Sequence, residues 1–382
     1  MIIIHYNEIG LKGGNRKTFE NLLAFNIKKA LSGVEGLKRI NVLQGRIVVE
    51  GENEDLAKEK LSKVFGIANF SFVQECKPDL LELKELVWSL AQKESFMTFK
   101  IQTRRAQKNF HMTSMDIDRE VGAYVQEKSQ AKVQMQNPDL TIYIEVVQNR
   151  AYVYTKKYAG PGGLPVGSAG RVVSLISSGI DSPVASWKMM KRGCTPAFVH
   201  FHSYPQTSRA SLENVQNLMR VLEDWSPEPL RLYAVAFLDI QKLISAHAPD
   251  KLRVILYRRS MIRIASHIAR DLQAHALVTG ESVGQVASQT LENIAVIDKA
   301  SDVPILRPNI GEDKQETIAW ARRIKTYDIS TQPYEDCCSL FVPLHPETKA
   351  RIGDVEGAEA NLGEEFKKLE AEAIENLETP RG

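Results

Sequence analysis

From residue 172 onward, short apolar runs alternate with amphipathic helical patterns. The runs 172–176, 197–201 ("AFVHF"), 230–237 ("LRLYAVAF") and 276–280 ("ALVTG") show little polar alternation. Such strands are buried on both faces, and helices between them are typical of crossover connections in a parallel sheet. Residues 171–382 are therefore predicted to form a doubly wound parallel α/β sheet, with a ligand at the carboxyl ends of its strands.

Small polar residues follow the first of these strands, in the stretch "VVSLISSGIDSPVASWKMM" at 172–190. Serine and glycine let backbone N–H groups and the N-terminus of the next helix converge on one anion. The motif GxxxxGK[ST] is absent, so the loop has no lysine of its own for a γ-phosphate, and pyrophosphate as a leaving group fits better. Asp181 is a candidate for holding Mg²⁺ on the phosphates. The alternative is a plain strand-to-helix turn.

The first half of the chain has a different pattern. Residues 1–75 read as β-α-β-β-α-β, which predicts a ferredoxin-like domain. Residues 79–157 form a second mixed unit of about three strands, which needs a neighbour or extra elements to cover its sheet. The stretch 158–170, "YAGPGGLPVGSAG", contains five glycines and two prolines and is predicted to be an ordered linker.

Basic residues are concentrated in two acid-free stretches of this half. Residues 1–165 contain 24 Lys and Arg against 19 Asp and Glu, and the remainder contains 25 against 28. The stretches 96–110 and 150–163 interleave basic and aromatic residues, as suits phosphate contact and base stacking on RNA. A solvated charged face is the alternative. The candidate RNA contacts are Lys100, Arg104, Arg105, Lys108, Lys156 and Lys157.

The four cysteines, Cys76, Cys194, Cys337 and Cys338, include no CxxC pair. This argues against a disulfide framework and against a structural zinc site. The adjacent Cys337 and Cys338 are either reactive thiols or structural ones, whereas Cys76 and Cys194 read as core residues, Cys194 being a weaker candidate for a resolving thiol. No apolar run is long enough for a membrane span, so a cytoplasmic protein is expected.

Several stretches together resemble one known family. S-x-G-x-D-S after a strand is similar to the loop of the PP-loop ATP pyrophosphatases. The stretches "GPGGLPVGSAGRVVSLISSGIDSPVA", "VHFHSYPQTS", "TGESVGQVASQTLENI", "TYDISTQPYEDCC" and "YNEIGLKGGNR" resemble the ThiI family of tRNA 4-thiouridine synthetases. The resemblance covers essentially the whole chain. It implies a ferredoxin-like domain at 1–75, a THUMP RNA-binding domain at 60–160, a linker at 161–170 and a PP-loop catalytic domain at 171–382, of the adenine nucleotide alpha hydrolase-like type.

The resemblance also implies an activity. ATP would adenylate O4 of a uridine in tRNA, at position 8 in the family, and a cysteine persulfide would transfer sulfur to C4 with release of AMP. The catalytic residues would be Asp181 and either Cys337, which the alignment of the preceding residues favours, or Cys338. ATP and Mg²⁺ are the implied cofactors. The implied ATP contacts are Leu175 and Ile176 (through their backbone), Ser177, Ser178, Gly179, Asp181, Ser182, His200, Phe201, Arg258, Gly280 and Gln289.

Each of these positions also has an ordinary structural interpretation. His200 could be a hydrogen-bonded residue at a strand end, and Arg258 could be a surface charge in the helical stretch "YRRSMIR". Gly280 and Gln289 could be ordinary loop residues. Ser178 departs from the family, whose loop usually has glycine there, and it is expected to place a hydroxyl near the phosphates.

The sequence does not extend to the rhodanese-like domain of the longer family members. Sulfur is therefore expected to reach Cys337 or Cys338 directly from a cysteine desulfurase, and a role in thiamine thiazole synthesis becomes doubtful. A homodimer is expected, because two-domain enzymes that span tRNA are often dimers.

The sequence is also compatible, to different degrees, with other functions. An RNA-binding protein with a decayed PP-loop is suggested by Ser178. A THUMP methyltransferase would need a glycine-rich methyl-donor loop and an Asn/Asp-Pro-Pro-Tyr-type pocket, and the sequence contains neither. Another PP-loop tRNA-modifying ligase is conceivable, whereas an amide-forming PP-loop ligase would leave the RNA-binding half unexplained.

Overall fold

The computed structural model describes residues 1–34, 36, 39–51, 54–106, 112–333, 340–341 and 343–380. The chain forms two compact units, Met1–Pro165 and Val166–Gly382. Each unit has its own apolar core, and the first unit contains two sheets. No described helix combines the length and the apolar composition that crossing a bilayer requires.

The first sheet of the first unit confirms the ferredoxin-like prediction. Its elements are β1 (Ile2–His5), α1 (Arg16–Ala30), β2 (Arg39–Leu43), β3 (Arg46–Glu50), α2 (Glu54–Leu61) and β4 (Asn69–Phe72). The strand order is β4-β1-β3-β2, extended at the β4 edge by β10 (Tyr158–Ala159), and the pairs are antiparallel. Apolar side chains from β1, β3, α1 and α2 form the core beneath this sheet.

The second sheet is built from β5 (Gln74–Cys76), α3 (Leu80–Ala91), β6 (Thr98–Arg105), α4 (Ser114–Ser129), β7 (Lys132–Val133), β8 (Leu140–Val147) and β9 (Arg150–Tyr154). The order is β5-β9-β8-β6-β7, in which β6 runs parallel to β7 and β8. The short strands β5 and β7 are the extra elements that the sequence pattern required. Helices α3 and α4 supply apolar residues to the core of this sheet.

The stretch 67–75 is read from the sequence as one strand but contributes to both sheets. Residues up to Phe72 pair with β1, and Gln74 begins the strand that pairs with β9. Val73 lies between them and is buried in a small cluster containing residues from both sheets. Periodicity alone does not show such a change of partner, because both parts alternate in the same way.

The second unit contains a five-stranded parallel sheet, which confirms the doubly wound prediction. Its elements are β11 (Arg171–Leu175), α5 (Asp181–Lys191), β12 (Thr195–His202), α6 (Ala210–Glu223), β13 (Arg231–Ala236), α7 (Leu238–His247), α8 (Arg253–Asp271), β14 (Leu277–Val278), α9 (Leu291–Asp298), β15 (Ile305–Leu306), α10 (Lys314–Arg323) and α11 (Tyr327–Ser330). The order β13-β12-β11-β14-β15 reverses direction between β11 and β14. A ligand crevice is expected at this reversal.

The C-terminal tail forms two packed helices, α12 (Ile352–Asn361) and α13 (Gly363–Glu375). Gly363 separates them with φ of +69°, a conformation that favours glycine. Val355 and Phe366 are buried in the core of the second unit. The acidic residues Glu359 and Glu370 form ion pairs with Arg259 and Arg263 of α8, so these two charges of the tail are neutralised within the second unit.

Candidate active site

One cavity of about 220 Å³ lies at the carboxyl ends of β11, β12 and β14. It lies where the strand order reverses, as expected for an open parallel sheet. All but two of the twelve ATP contacts suggested by the sequence line it, and the exceptions are Ser178 and Gly179. The lining residues among the twelve are Leu175, Ile176, Ser177, Asp181, Ser182, His200, Phe201, Arg258, Gly280 and Gln289.

The loop between β11 and α5 closes on itself through serine side chains. The Ser177 N–H donates to Ser182 Oγ at 2.9 Å, and the Gly179 N–H donates to Ser177 Oγ at 3.3 Å. Helix α5 begins at Asp181, so its N-terminal N–H groups lie at the same end of the sheet. Backbone amides and the positive end of a helix at one place can bind a phosphate group.

The Ser178 hydroxyl is turned away from this cavity. Its Oγ donates to Ser211 O at 3.0 Å and lies 2.9 Å from Ser211 Oγ, and the residue is fully buried. The structure thus differs from the expectation that this hydroxyl lies beside the phosphates. Its hydrogen bonds attach the loop to α6, so the substitution of glycine by serine has a structural role here.

His200 and Ile176 are linked to each other by a hydrogen bond. His200 Nδ1 lies 3.0 Å from the carbonyl oxygen of Ile176, and Ser211 Oγ lies 3.3 Å from Nε2. The Ile176 N–H already donates to Val199 O at 2.9 Å. A backbone contact from Ile176 to a nucleotide is therefore restricted to its carbonyl oxygen, which has a second lone pair.

Asp181 is the centre of a polar cluster at the edge of the cavity. Lys314 Nζ lies 2.7 Å from Asp181 Oδ1, and Gln285 Nε2 donates to Oδ2 at 3.0 Å. Asn309 Nδ2 donates to the Asp181 carbonyl oxygen at 2.9 Å. No sequence pattern indicated Lys314, Gln285 or Asn309 as part of the site, because they come from three separate stretches of the chain. Asp313 and Glu316 form a capping box, so the pattern Asp313-x-x-Glu316 would have indicated where α10 starts. It would not have indicated that this start lies beside Asp181.

Glu281 joins two arginines beside the cavity. Its Oε1 accepts from Arg258 Nη1 at 2.6 Å, and its Oε2 accepts from Arg307 Nε at 2.7 Å. Burial by itself would raise the pKa of Glu281, but the charges of Arg258 and Arg307 and the hydrogen bonds from Arg307 and Thr279 outweigh burial and lower it. The carboxylate therefore stays ionised and orients Arg258, whose buried Nε has no hydrogen-bond partner among the described residues.

Part of the cavity lining is apolar. Leu175, Phe201, Met261, Ile262 and Ile297 line it. A cavity with an apolar wall and a few placed polar groups is typical of a site for a small molecule such as a nucleotide.

Two further residues give this cavity its shape and polarity. Gln289 is 7% exposed, and within the described part of the chain its Oε1 has no hydrogen-bond partner. A Cβ atom on Gly280 would lie 2.6 Å from the nitrogen of Ser182, so only glycine lets these two backbones approach.

Cys337 and Cys338 lie outside the described residues. The described chain that precedes them is attached to the loop between β11 and α5, because Ser330 Oγ donates to Gly179 O at 3.2 Å. Cys194 is buried, and burial raises the pKa of its thiol, while burial and nearby carboxylates raise the pKa of Cys76 to about 11. Neither environment favours a thiolate, so the structure gives no support to Cys194 as a resolving thiol.

Three of the candidate RNA contacts lie together on the second sheet of the first unit. Lys100 and Arg104 are four positions apart on β6 and therefore lie on the same face of the strand. Lys157 Nζ lies 3.6 Å from the ring centroid of Tyr143. Partial burial, together with the charges of Arg104 and Lys100, lowers the pKa of Lys157. Three positive charges close together, one of them over an aromatic ring, are suited to contact with a phosphate chain.

The remaining candidates are placed differently. Arg105 donates from Nη1 to Met112 O at 2.5 Å and so holds the segment before α4. Lys156 is exposed and pairs with Glu94 at 3.0 Å. Lys108 lies outside the described residues.

Three families match separate parts of the chain. The family described as "ThiI ferredoxin-like domain" matches residues 1–71, "THUMP domain" matches 79–156, and "Thiamine biosynthesis protein (ThiI)" matches 167–363.

Curated relatives cover the whole length of the chain. A probable tRNA sulfurtransferase of Moorella thermoacetica is 45% identical over 379 residues, which are 99% of this chain and 96% of that protein. A probable tRNA sulfurtransferase of Coxiella burnetii is 42% identical over 391 residues, which cover 100% and 98%.

Solved structures agree with these matches. A 4-thiouridine synthetase in complex with RNA and bound ATP has a TM-score of 0.90 and 38% identity, over 99% of this chain and 98% of that one. The protein PH1313 of Pyrococcus horikoshii has a TM-score of 0.66 and 25% identity, over 85% and 99%.

Proposed function

The chain belongs to the ThiI family, and from this premise we propose how its residues carry out ATP-dependent sulfur transfer to tRNA. The protein is a tRNA sulfurtransferase that uses ATP and forms 4-thiouridine. The observation that carries the proposal is that the serine loop, Arg258 and a set of apolar side chains line the same cavity.

The first half-reaction is adenylation. Uridine O4 attacks the α-phosphorus of ATP, the bond to the bridging oxygen breaks, pyrophosphate leaves, and N3 of the base gives up its proton. The carbonyl oxygen of uridine is a poor leaving group, whereas AMP is a good one, so this step activates C4. A persulfide on Cys337 or Cys338 then attacks C4 through its terminal sulfur, and AMP leaves. A second thiol, from the protein or from an external reductant, attacks the cysteine-bound sulfur of the resulting disulfide. The S–S bond to the base breaks, 4-thiouridine is released, and the two thiol sulfurs are left as a disulfide that an external thiol reduces.

Each side of the cavity has a role in this proposal. The apolar wall binds the adenine ring, with polar contacts from Gln289 and the Ile176 carbonyl oxygen. The loop 177–182 and the N-terminus of α5 bind the phosphates through backbone N–H groups. Arg258 and Lys314 offset the negative charge that accumulates as pyrophosphate departs.

Mg²⁺ is proposed to accompany ATP, but the described residues do not build a metal site. No group of three or more His, Cys, Asp or Glu side chains that could hold a metal occurs among them. Asp181, the carboxylate on which the sequence argument depends, is already paired with Lys314. Phosphate oxygens are therefore the expected ligands of the metal, and no step proposed here depends on it.

tRNA is the macromolecular substrate, and we propose that Lys100, Arg104 and Lys157 contact its backbone. We also propose a cytoplasmic location, because the substrate is tRNA. A cysteine desulfurase is proposed as the sulfur donor, because a persulfide must be formed from a sulfane source.

A homodimer is also proposed, and light scattering of the purified protein would determine its mass.

The function is tested with an unmodified tRNA transcript, ATP, and a cysteine desulfurase supplied with cysteine. The expected products are AMP, pyrophosphate and 4-thiouridine, the last measured by mass spectrometry of nucleosides. Cys337→Ser should abolish thiolation but keep the adenylation step, seen as tRNA-dependent release of pyrophosphate. Cys338→Ser should give this result instead if the second thiol carries the persulfide. Cys194→Ala is the matched control and should behave like the wild type. Absence of tRNA-dependent AMP formation by the wild type would overturn the proposal.

A further inference from the structure

The loop that follows β14, residues 282–290, is held rigidly at the edge of the cavity. The Gly284 N–H donates to Gln289 O at 2.9 Å, and the Gln289 N–H donates to Val286 O at 2.8 Å. The Val283 N–H donates to Ile310 O at 3.1 Å. These bonds fix the backbone, so the side chains exposed by the loop have defined positions.

Gln285 extends from this loop to the carboxylate of Asp181. Its Nε2 lies 3.0 Å from Asp181 Oδ2. A carboxylate only accepts hydrogen bonds, so the nitrogen of the amide must face Asp181 and the oxygen must face away. Among the described residues, nothing donates to that Oε1, and the residue is exposed. The hydrogen bond to Asp181 therefore leaves Oε1 of Gln285 available as a hydrogen-bond acceptor at the edge of the site.

Apolar side chains flank this amide. Val283 is 44% exposed and Val286 is 49% exposed, and Ile310, next to Val283, is 37% exposed. Single exposed apolar residues are normal, but several on one ordered loop beside a charged pair indicate a binding surface. An aliphatic surface around one acceptor fits a flat ring that has a polar edge.

We propose that Gln285 recognises the uracil base of the substrate and that Val283 and Val286 pack against its ring. The proposal rests on the function proposed above and deepens it by naming the residue that selects the base. In uracil, N3–H is a donor, and it would donate to Gln285 Oε1. In cytosine, N3 carries no proton and is an acceptor, so two acceptors, N3 and Gln285 Oε1, would face each other without a hydrogen bond. Uracil is therefore accepted and cytosine disfavoured.

The same contact suits the reaction. A hydrogen bond accepted from N3–H increases the electron density on O4, the atom that attacks the α-phosphorus. Because Gln285 is bonded to Asp181, the base edge comes next to the phosphate loop. Gln285 is thus a specificity-determining residue, and its placement depends on the carboxylate beside it.

The test compares binding of two tRNA transcripts that differ only at the thiolated position, one with uridine and one with cytidine. Affinities are measured with a non-hydrolysable ATP analogue present. Wild type should bind the uridine transcript about tenfold more tightly, the discrimination expected of one specific base contact. Gln285→Ala should reduce this ratio to below about twofold. A ratio that is unchanged in Gln285→Ala, or close to one in the wild type, would overturn the proposal.

Two variants separate base recognition from other effects. Val286→Ser should weaken binding of both transcripts and leave their ratio unchanged, because packing on a ring does not read N3. Gln315→Ala, an exposed glutamine on α10, should have no effect on either transcript. If the wild type forms AMP with the uridine transcript while Gln285→Ala keeps its preference for uridine, the function stands and this inference fails.

Discussion

Lys314 Nζ lies 2.7 Å from Asp181 Oδ1, although 133 positions separate the two residues in the chain. Asp181 begins α5 and Lys314 begins α10, so the packing of these helices brings a lysine to a loop whose own motif has none. The charge of Lys314 is thereby available to the phosphates without being part of the phosphate loop.

Lys314→Met should leave Asp181 without its counter-charge and remove a cation from the phosphate site. Adenylation should fall at least about 100-fold, as when a transition-state donor is removed from other active sites. The measurement is tRNA-dependent release of AMP. Lys242→Met, which breaks an exposed ion pair with Asp239 on α7, is the control and should retain wild-type activity. Activity of Lys314→Met within threefold of wild type would contradict this role.

Gly280→Ala should disturb the phosphate loop, because the new Cβ would lie within 2.8 Å of three backbone atoms of Asp181 and Ser182. Such overpacking costs about 1–3 kcal/mol of the free energy of unfolding. ATP affinity, measured by calorimetry, should fall at least about tenfold, which corresponds to about 1.4 kcal/mol. Gly311→Ala is the matched control, since nothing lies within 4 Å of its Cβ position. Equal affinities for the two variants would show that the close approach is not needed.

Ser178→Gly should change stability and leave nucleotide binding unchanged. The variant loses the hydrogen bonds to Ser211 and adds chain entropy to the unfolded state, so the free energy of unfolding should fall by about 1–2 kcal/mol. The Kd for ATP should stay within twofold. Ser177→Ala is the contrasting variant, because it removes contacts within the loop and should weaken ATP binding. A tenfold change in ATP affinity for Ser178→Gly would place its hydroxyl at the phosphates after all.

Glu145 should make the first unit sensitive to acid. Burial alone would raise the pKa of this carboxyl, but hydrogen bonds and charges from His5, Arg46 and Tyr154 lower it to about 2 from an ordinary value of 4.5. Because the folded pKa is depressed, the stabilisation is present above pH 4.5 and is lost as the pH falls towards 2. The difference between the ordinary pKa and the folded pKa corresponds to about 3 kcal/mol of the free energy of unfolding.

Glu145→Gln should cost a similar amount, about 3 kcal/mol, since it leaves Arg46 paired with a neutral group. Hydrogen exchange of β1 and β8 across denaturant concentrations measures this local stability. Glu120→Gln, on an exposed pair with Lys84, is the control and should change stability by less than about 0.5 kcal/mol. A loss of less than about 1 kcal/mol for Glu145→Gln would contradict the assignment.

Replacing Lys100, Arg104 and Lys157 together with glutamine should weaken tRNA binding. Loss of three phosphate contacts should reduce the slope of log affinity against log salt by about 2 to 3. Filter binding over a range of salt concentrations gives this slope. The control replaces Lys28, Lys63 and Lys84, which lie elsewhere on the same unit. An equal effect of both triple variants would show that the binding depends on net charge and not on this surface.

The order of secondary-structure elements was predictable from the sequence. Apolar strands alternating with amphipathic helices indicated the parallel sheet, and the serine and glycine residues after β11 indicated an anion site at its edge. These inferences succeed because periodicity and turn chemistry act between residues close together in the chain. The same reasoning could not divide the stretch 67–75 between two sheets, because the division depends on which neighbours pair with it.

The class of fold, the position of the phosphate loop and the residues that match the family could all be inferred from patterns along the chain. Only the tertiary structure placed Lys314 and Gln285 against Asp181, joined Glu281 to Arg258 and Arg307, and turned the Ser178 hydroxyl towards Ser211. The physical reason is that each of these contacts joins elements far apart in the chain. Their proximity results from how helices and loops pack on the sheet, and no local pattern encodes it.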